Sequence, residues 1–326
     1  MRGSPSGSDT PASVAPPVVR VNGVDRRLAS SARRSRPLSR PELKITSPGG
    51  ALREPPSAAS LRAKCPPVLD QDPIESCAAF AFTSALRFLH LRDGLDEPLS
   101  PLFCYYATRV LIEGEQTSDD TGCKADAVVE ALEKYGVCVE SAWPYDTKKY
   151  AIEPPAPAFD DAAKRKLTKA YRATTLRAMK LSIADGYPVP VAFPVARSVG
   201  YGDDAVPSPT WRTGRFPVPT SVPGDAPAGS SGHSAGYAGG PVGGIQPVQQ
   251  PIADPADGFH FVLAVGYDDA TGLVEIENSW GDKFGDGGYG YLPYAFFGPT
   301  QDTLIADKSV LAEDPWTLRR EFDEGR

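Results

Sequence analysis

Residues 66–86 read PPVLDQDPIESCAAFAFTSAL, and this stretch decides how the chain is read. Its first half is a polar loop. From Cys77 onward apolar residues occupy most helical faces with no Gly or Pro, which predicts a buried helix over 77–91. A cysteine at the start of such a helix lies among unpaired backbone N–H groups at the positive end of the helix dipole. That setting favours a thiolate and is expected to lower the thiol pKa. Cys65, Cys104, Cys123 and Cys138 lie within helices or at loop edges and share no such feature. A free cysteine is most often a small buried hydrophobe, so Cys77 becomes a nucleophile only if a base is at hand.

The search for a base is short, because the chain has three histidines. His90 follows Cys77 on the same predicted helix, about 20 Å along its axis, and cannot serve it. His233 sits in a Gly/Ser-rich stretch with nothing to hold a catalytic group still. His260 opens an apolar run, FHFVLAVGY, beside a Gly, and is the one placed like a base.

Further helices are expected at LFCYYATRVLI, opened by Ser100 as N-cap with Pro101 after it, at Lys124–Lys134 and at Leu176–Ala184. The period then changes. Pro188–Val195, Phe259–Tyr267, Leu273–Asn278 and Tyr289–Tyr294 are short, apolar or aromatic, and bounded by Gly or Asp, as antiparallel strands are. Helices first and strands second predict an α+β fold of two lobes, helical and antiparallel β, with a cleft between them.

Composition bounds the rest. With 31 Gly and 34 Pro, irregular segments must accompany a folded part, while 41% hydrophobic residues suffice for a core. Residues 1–60 carry nine prolines and no sustained period, and are expected to form a disordered arm. Residues 197–258, with ten prolines and twelve glycines, are expected to be a flexible insertion in a domain spanning 61–312; residues 313–326 are expected to be a charged tail. Residues 1–64 hold 12 Lys/Arg against 4 Asp/Glu, and the remainder 22 against 37. An acidic body argues against nucleic acid as the main partner. A tethering role for the basic arm and the insertion is a weaker reading. No apolar run reaches the ~18 residues of a membrane span, and no apolar secretory stretch opens the chain, so a cytoplasmic protein is expected. No C-x-x-C pair suggests a metal site, and DKFGDGGYG, with Asp282 and Asp286, lacks the spacing of a calcium loop and reads as a turn. No metal or cofactor is expected. Nothing in the sequence sets the oligomeric state.

PVLDQDPIESCAAFAFTSAL resembles the active-site segment of the papain-like cysteine peptidases, in which a Gln precedes the nucleophilic Cys by six residues, as Gln71 precedes Cys77. LSPLFCYYATR and ALEKYGVCVESAWPYD resemble left-lobe helices of the bacterial branch of that family. GFHFVLAVGYDD resembles its His strand, and IENSWGDKFGDGGYGYLPY its Asn and Trp segment. The resemblance implies a two-lobe hydrolase acting on peptide or protein. In it Cys77 is the nucleophile, His260 the acid/base and Asn278 the residue orienting the imidazole. Trp280 shields that pair, and Gln71 with the Cys77 N–H forms the oxyanion hole. The Cys-to-His and Cys-to-Asn intervals, 183 and 201 residues, exceed the family's roughly 130–150 by about the length of the insertion.

The sequence also departs from the family. Of the pattern C-G-[SA]-C-[WY] only Ser76-Cys77 survives, flanked by Ile74, Glu75 and Ala78. With Ile74 in place of the upstream Cys, the disulfide implied with Cys123 cannot form. Glu75 adds a carboxylate beside the thiolate and the substrate path. The resemblance implies that the glycine pair lining the family's cleft is replaced here by Ala125 and Asp126, with Ala127 and Val128 expected to line a small apolar pocket. Residues 1–64 show no helical period, so the helical inhibitory propeptide of secreted relatives is not expected. Glu75, Ala78 and Asp126 keep open a catalytically silent module that binds peptide through the same cleft.

Overall fold

The computed structural model describes residues 18–21, 24–27, 41–42, 51–71, 73–200, 208–219, 256–302, 312 and 315–319. Two strands, β1 (Val18–Val21) and β2 (Val24–Arg27), pair antiparallel near the start of the chain. A short strand β3 (Ala58–Ser60) then leads into the loop before helix α1 (Cys77–Arg92). α1 buries 13 of its 16 residues, as a helix apolar on most faces must. Helix α2 (Pro101–Tyr106) opens where Ser100 Oγ accepts from Phe103 N at 3.1 Å, and runs on as π-helical turns over Ala107–Ile112. Helices α3 (Ala125–Lys134) and α4 (Ala156–Ala162) complete the helical lobe.

The second lobe is a five-stranded antiparallel sheet. Strand β4 (Lys169–Arg172), helix α5 (Leu176–Ala184), strand β5 (Val189–Ala196) and helix α6 (Pro209–Thr213) precede its central strand, β6 (Ala256–Asp268). β7 (Leu273–Glu277) and β8 (Tyr289–Pro293) follow in meander order. β6 is long enough to take β5 along its first half and β3 beyond it on the same side, with β7 on the other. Pairing with β7 begins only at Leu263. Residues 256–262 therefore have one edge unpaired within the sheet, and this edge is turned toward α1. No described helix is long and apolar enough to cross a membrane.

The expected helices and strands are found within a residue or two of their predicted limits, except that β6 begins three residues earlier. Three expectations about the irregular segments are corrected. The arm read as disordered through residue 60 is partly docked: Pro41 O accepts from Arg172 N at 3.1 Å, Ala58–Ser60 pair with Gly266–Asp268, and Arg53 bonds Asp185 at 2.7 Å. The charged tail contributes strand β9 (Trp316–Arg319), which pairs with β4 and buries Trp316 completely. The insertion is structured at its start, where Trp211 and Phe216 pack on Phe284 at 5.6 and 5.7 Å between ring centroids, and at its end, where Ala256 and Gly258 pair with Ala196 and Val195. The stretch 224–244, GDAPAGSSGHSAGYAGGPVGG, with His233, lies outside the described residues. The arm docks through backbone pairing and an ion pair, and the tail and insertion dock through a few large apolar residues; none of these leaves a periodic trace in the sequence.

Gly214 ends α6 with φ +67°, and a Cβ there would stand 2.6 Å from the Tyr289 carbonyl oxygen. Gly214→Ala is expected to lower stability by about 2 kcal/mol, since an L-residue is strained at positive φ and the backbone contact must open. In a domain of this size that is a fall of roughly 4–8 °C in Tm by calorimetry. An unchanged Tm would show that 208–219 does not dock as described.

Candidate active site

The site forms where the N-terminus of α1 meets the unpaired edge of β6. Cys77 is the first residue of α1 and is 1% exposed. Its sulfur takes backbone hydrogen bonding from Phe261, the residue after His260, and from the first N–H groups of α1. His260 is likewise 1% exposed, and lies opposite Phe193 in the β5–β6 register.

Asn278 follows the last residue of β7. Its Oδ1 lies 2.7 Å from His260 Nε2 and also accepts from Ser279 N at 2.8 Å. An amide oxygen only accepts, so Nε2 carries the proton of this bond and Nδ1 is the nitrogen left for proton transfer. Trp280 stacks on the His260 ring, 4.7 Å between centroids and 28° from parallel, and is itself wedged between Phe216 and Phe284. The Asn–His bond thus lies under an indole that keeps water away, which strengthens it.

Gln71 arrives on an extended segment joined antiparallel to the Asn278 segment. Its N–H donates to Ser279 O at 2.9 Å, Gly281 N donates to Leu69 O, and Asp70 pairs with Trp280. The side-chain oxygen of Gln71 accepts from Ser279 Oγ at 2.7 Å, and Nε2 gives one proton to Ile74 O at 2.9 Å. One amide proton remains for a ligand. Ser279 was not singled out in the sequence, although it stands between two nominated residues. Tyr145, whose hydroxyl bonds both the Gln71 carbonyl and Ser76 Oγ, was also missed. No local signal marks it, since it reaches the site only through the fold.

Glu75 is fully buried, and its N–H donates to Asp120 Oδ1 at 3.0 Å. Asp120 is fixed in turn by Tyr105 Oη and by the loop before it, whose carbonyls at Gln116, Thr117 and Asp119 accept from the buried Arg109 guanidinium. The expected lowering of the Cys77 pKa is not found. Burial pushes the thiol up to about 12, and the Glu75 carboxylate acts in the same direction, while the backbone donors from Phe261 and α1 offset only part of this. On the other side, burial raises Glu277, the neighbour of Asn278, to about 7.

The residues of α3 expected to line the cleft are buried. Ala125 and Val128 are fully buried in the core, Ala127 is buried too, and Asp126 faces Arg172 of β4 at 3.6 Å. A groove opens instead beside Gln71, lined by Asp70, Tyr145, Asp146 and Thr147. His90 lies at the far end of α1. All five cysteines are free thiols. Asp286, in the segment weighed as a calcium loop, is paired with Arg62 at 2.6 Å.

No family model matches the chain. A curated relative, an uncharacterized peptidase C1-like protein of Acanthamoeba polyphaga mimivirus, is 27% identical over 266 residues, spanning 78% of this chain and 70% of that protein. Xylellain, a cysteine protease from Xylella fastidiosa, matches with a TM-score of 0.58 at 28% identity, over 81% of this chain and 86% of that one. Procathepsin L 3 of the Tenebrio molitor larval midgut matches with a TM-score of 0.57 over 86% and 74% of the two chains, and at 17% identity shows the shared fold alone. The chain thus has a papain-like fold and is similar in sequence to a peptidase C1-like protein and to a cysteine protease.

Glu75→Gln removes a carboxylate that disfavours the thiolate, so it is expected to lower the Cys77 pKa and to speed alkylation by iodoacetamide at any fixed pH below it. The pH dependence of alkylation, followed by intact mass, checks this. An unmoved or upward-moving midpoint would contradict it.

Proposed function

We propose that the chain hydrolyses peptide bonds through a thioacyl intermediate on Cys77, with His260 moving the protons. The observation that carries the reading is the buried Nε2–H···Oδ1 bond from His260 to Asn278, which leaves Nδ1 as the imidazole's working nitrogen. With burial holding the resting sulfur as a thiol, His260 Nδ1 takes its proton as the sulfur attacks the carbonyl carbon. The carbonyl electrons move to oxygen, which the remaining Gln71 Nε2 proton and the Cys77 N–H receive. The C–N bond then breaks, and the amine leaves with the proton that His260 held. Water attacks the thioester, His260 takes a proton from it, and the carboxylic acid departs as the thiol is restored.

The likeness to xylellain supports the same reading and, with it, a place on the bacterial branch. The departures at Glu75 and Ala78 bear on rate and on substrate choice, and every group the reaction uses is present.

Cys77→Ala should abolish peptide turnover, a loss on the order of 10⁶-fold as for nucleophiles of other triads, with the Tm unchanged. Asn278→Ala frees the imidazole to turn, and should cost between about 10² and 10⁴ in kcat. Fluorogenic peptide assays on folded variants check both. Turnover that survives Cys77→Ala would refute the proposal, whereas peptide binding by a wild-type chain that never acylates would leave a silent binding module.

A further inference from the structure

Tyr145 belongs to neither chain segment of the proposed oxyanion hole, yet it joins them. Its hydroxyl lies 2.5 Å from the Gln71 carbonyl oxygen and 2.9 Å from Ser76 Oγ. The carbonyl can only accept, so the phenolic proton goes to Gln71, and the proton of the second bond must come from Ser76. The ring is held in place as well: Phe80 meets it edge-on at 4.8 Å and 86°, and Tyr145 N donates to Glu140 Oε1 at 2.6 Å.

This arrangement uses up Ser76 in an unusual way. A serine before a helix ordinarily accepts from the N–H groups of the first turn. Ser76 is the N-cap of α1 and makes no such bond. Its hydroxyl is drawn to Tyr145, and the N–H groups that open α1 are left to Cys77 and to any oxygen bound beside it. One phenol thereby sets the spacing between the Gln71 segment and the Cys77 N–H, and keeps the competing serine hydroxyl off the helix end.

We infer that Tyr145 is a positioning residue for oxyanion stabilisation, clamping the Gln71 carbonyl and Ser76 Oγ so that the two proposed donors stay in register. The inference rests on the Cys77–His260 reading. It goes beyond that reading by assigning a role to a residue 68 positions downstream of the nucleophile.

Tyr145→Phe keeps the ring and its packing and removes only the hydroxyl. Losing an oxyanion donor outright costs about 10²–10³ in kcat, so a loosened pair of donors is expected to cost roughly 10- to 100-fold, with KM within about twofold. Inhibition by a peptide aldehyde, whose hemithioacetal places an oxygen in the same hole, should weaken by a similar factor. Alkylation of Cys77 by iodoacetamide develops no oxyanion, and should keep its rate. Ser76→Ala, which removes one anchor, should show a smaller loss of the same kind, and the double variant should be no worse than Tyr145→Phe. If wild type turns over peptide and Tyr145→Phe keeps its kcat, the inference falls alone. If alkylation drops in parallel with kcat, Tyr145 supports the site only as packing, and the inference again falls. A wild-type chain that is inert toward both peptide and an epoxysuccinyl inhibitor overturns the underlying reading first, and this inference with it.

Discussion

Everything at the site depends on one contact, the N-terminus of α1 against the edge of β6 that β7 leaves unpaired. Because β7 joins β6 only from Leu263, the Phe261 backbone is available to the Cys77 sulfur. The same offset leaves room for the segment after β7 to bring Asn278 to the far nitrogen of His260. Had β7 paired along the whole of β6, the sheet edge would be closed to the helical lobe. The two lobes are therefore joined at the site by backbone geometry, and the reactive side chains occupy positions that geometry fixes. The Gln71 segment closes the arrangement by pairing with Ser279–Gly281, so the proposed oxyanion donor and the Asn–His pair are held by one short ladder.

The electrostatics of the site run against ionisation. A thiol and two carboxylates, Glu75 and Glu277, are buried within a few residues of the reacting groups. Burial disfavours the charged form of the Cys77 thiol and of Glu277, and the Glu75 carboxylate adds to the penalty on the sulfur. A site built this way costs folding stability and holds its thiol protonated at rest. In the proposed mechanism, proton transfer to His260 is therefore part of attack, in contrast to a thiolate stored in advance by the helix dipole. The dipole of α1 is still present, but partial charges at one helix end do not outweigh complete desolvation.

Much of this was legible in the sequence. The apolar run from Cys77, the short apolar stretches bounded by Gly or Asp around His260 and the order of segments pointed to the α+β architecture, and the scarcity of histidines singled out His260 as the candidate base. Trp211, Phe216 and Trp316 were not legible as core residues, because each docks a Pro- or charge-rich segment through one or two side chains and leaves no periodic trace. The surroundings of Ala125 and Asp126 were not legible, since α3 begins at Ala125 and turns its first helical turn toward Arg172 and the core. Tyr145 and Ser279 act through hydrogen bonds between distant segments, and such bonds are set by tertiary structure alone.

The account is tested most directly by asking whether Cys77 and His260 work as one unit. The purified protein would be treated with an epoxysuccinyl inhibitor near neutral pH and the adduct located by intact and peptide mass spectrometry. The account predicts a single adduct on Cys77 that disappears in a folded His260→Ala variant. Labelling that is absent from Cys77 while other thiols react with a general alkylator, or that persists unchanged without His260, would contradict it.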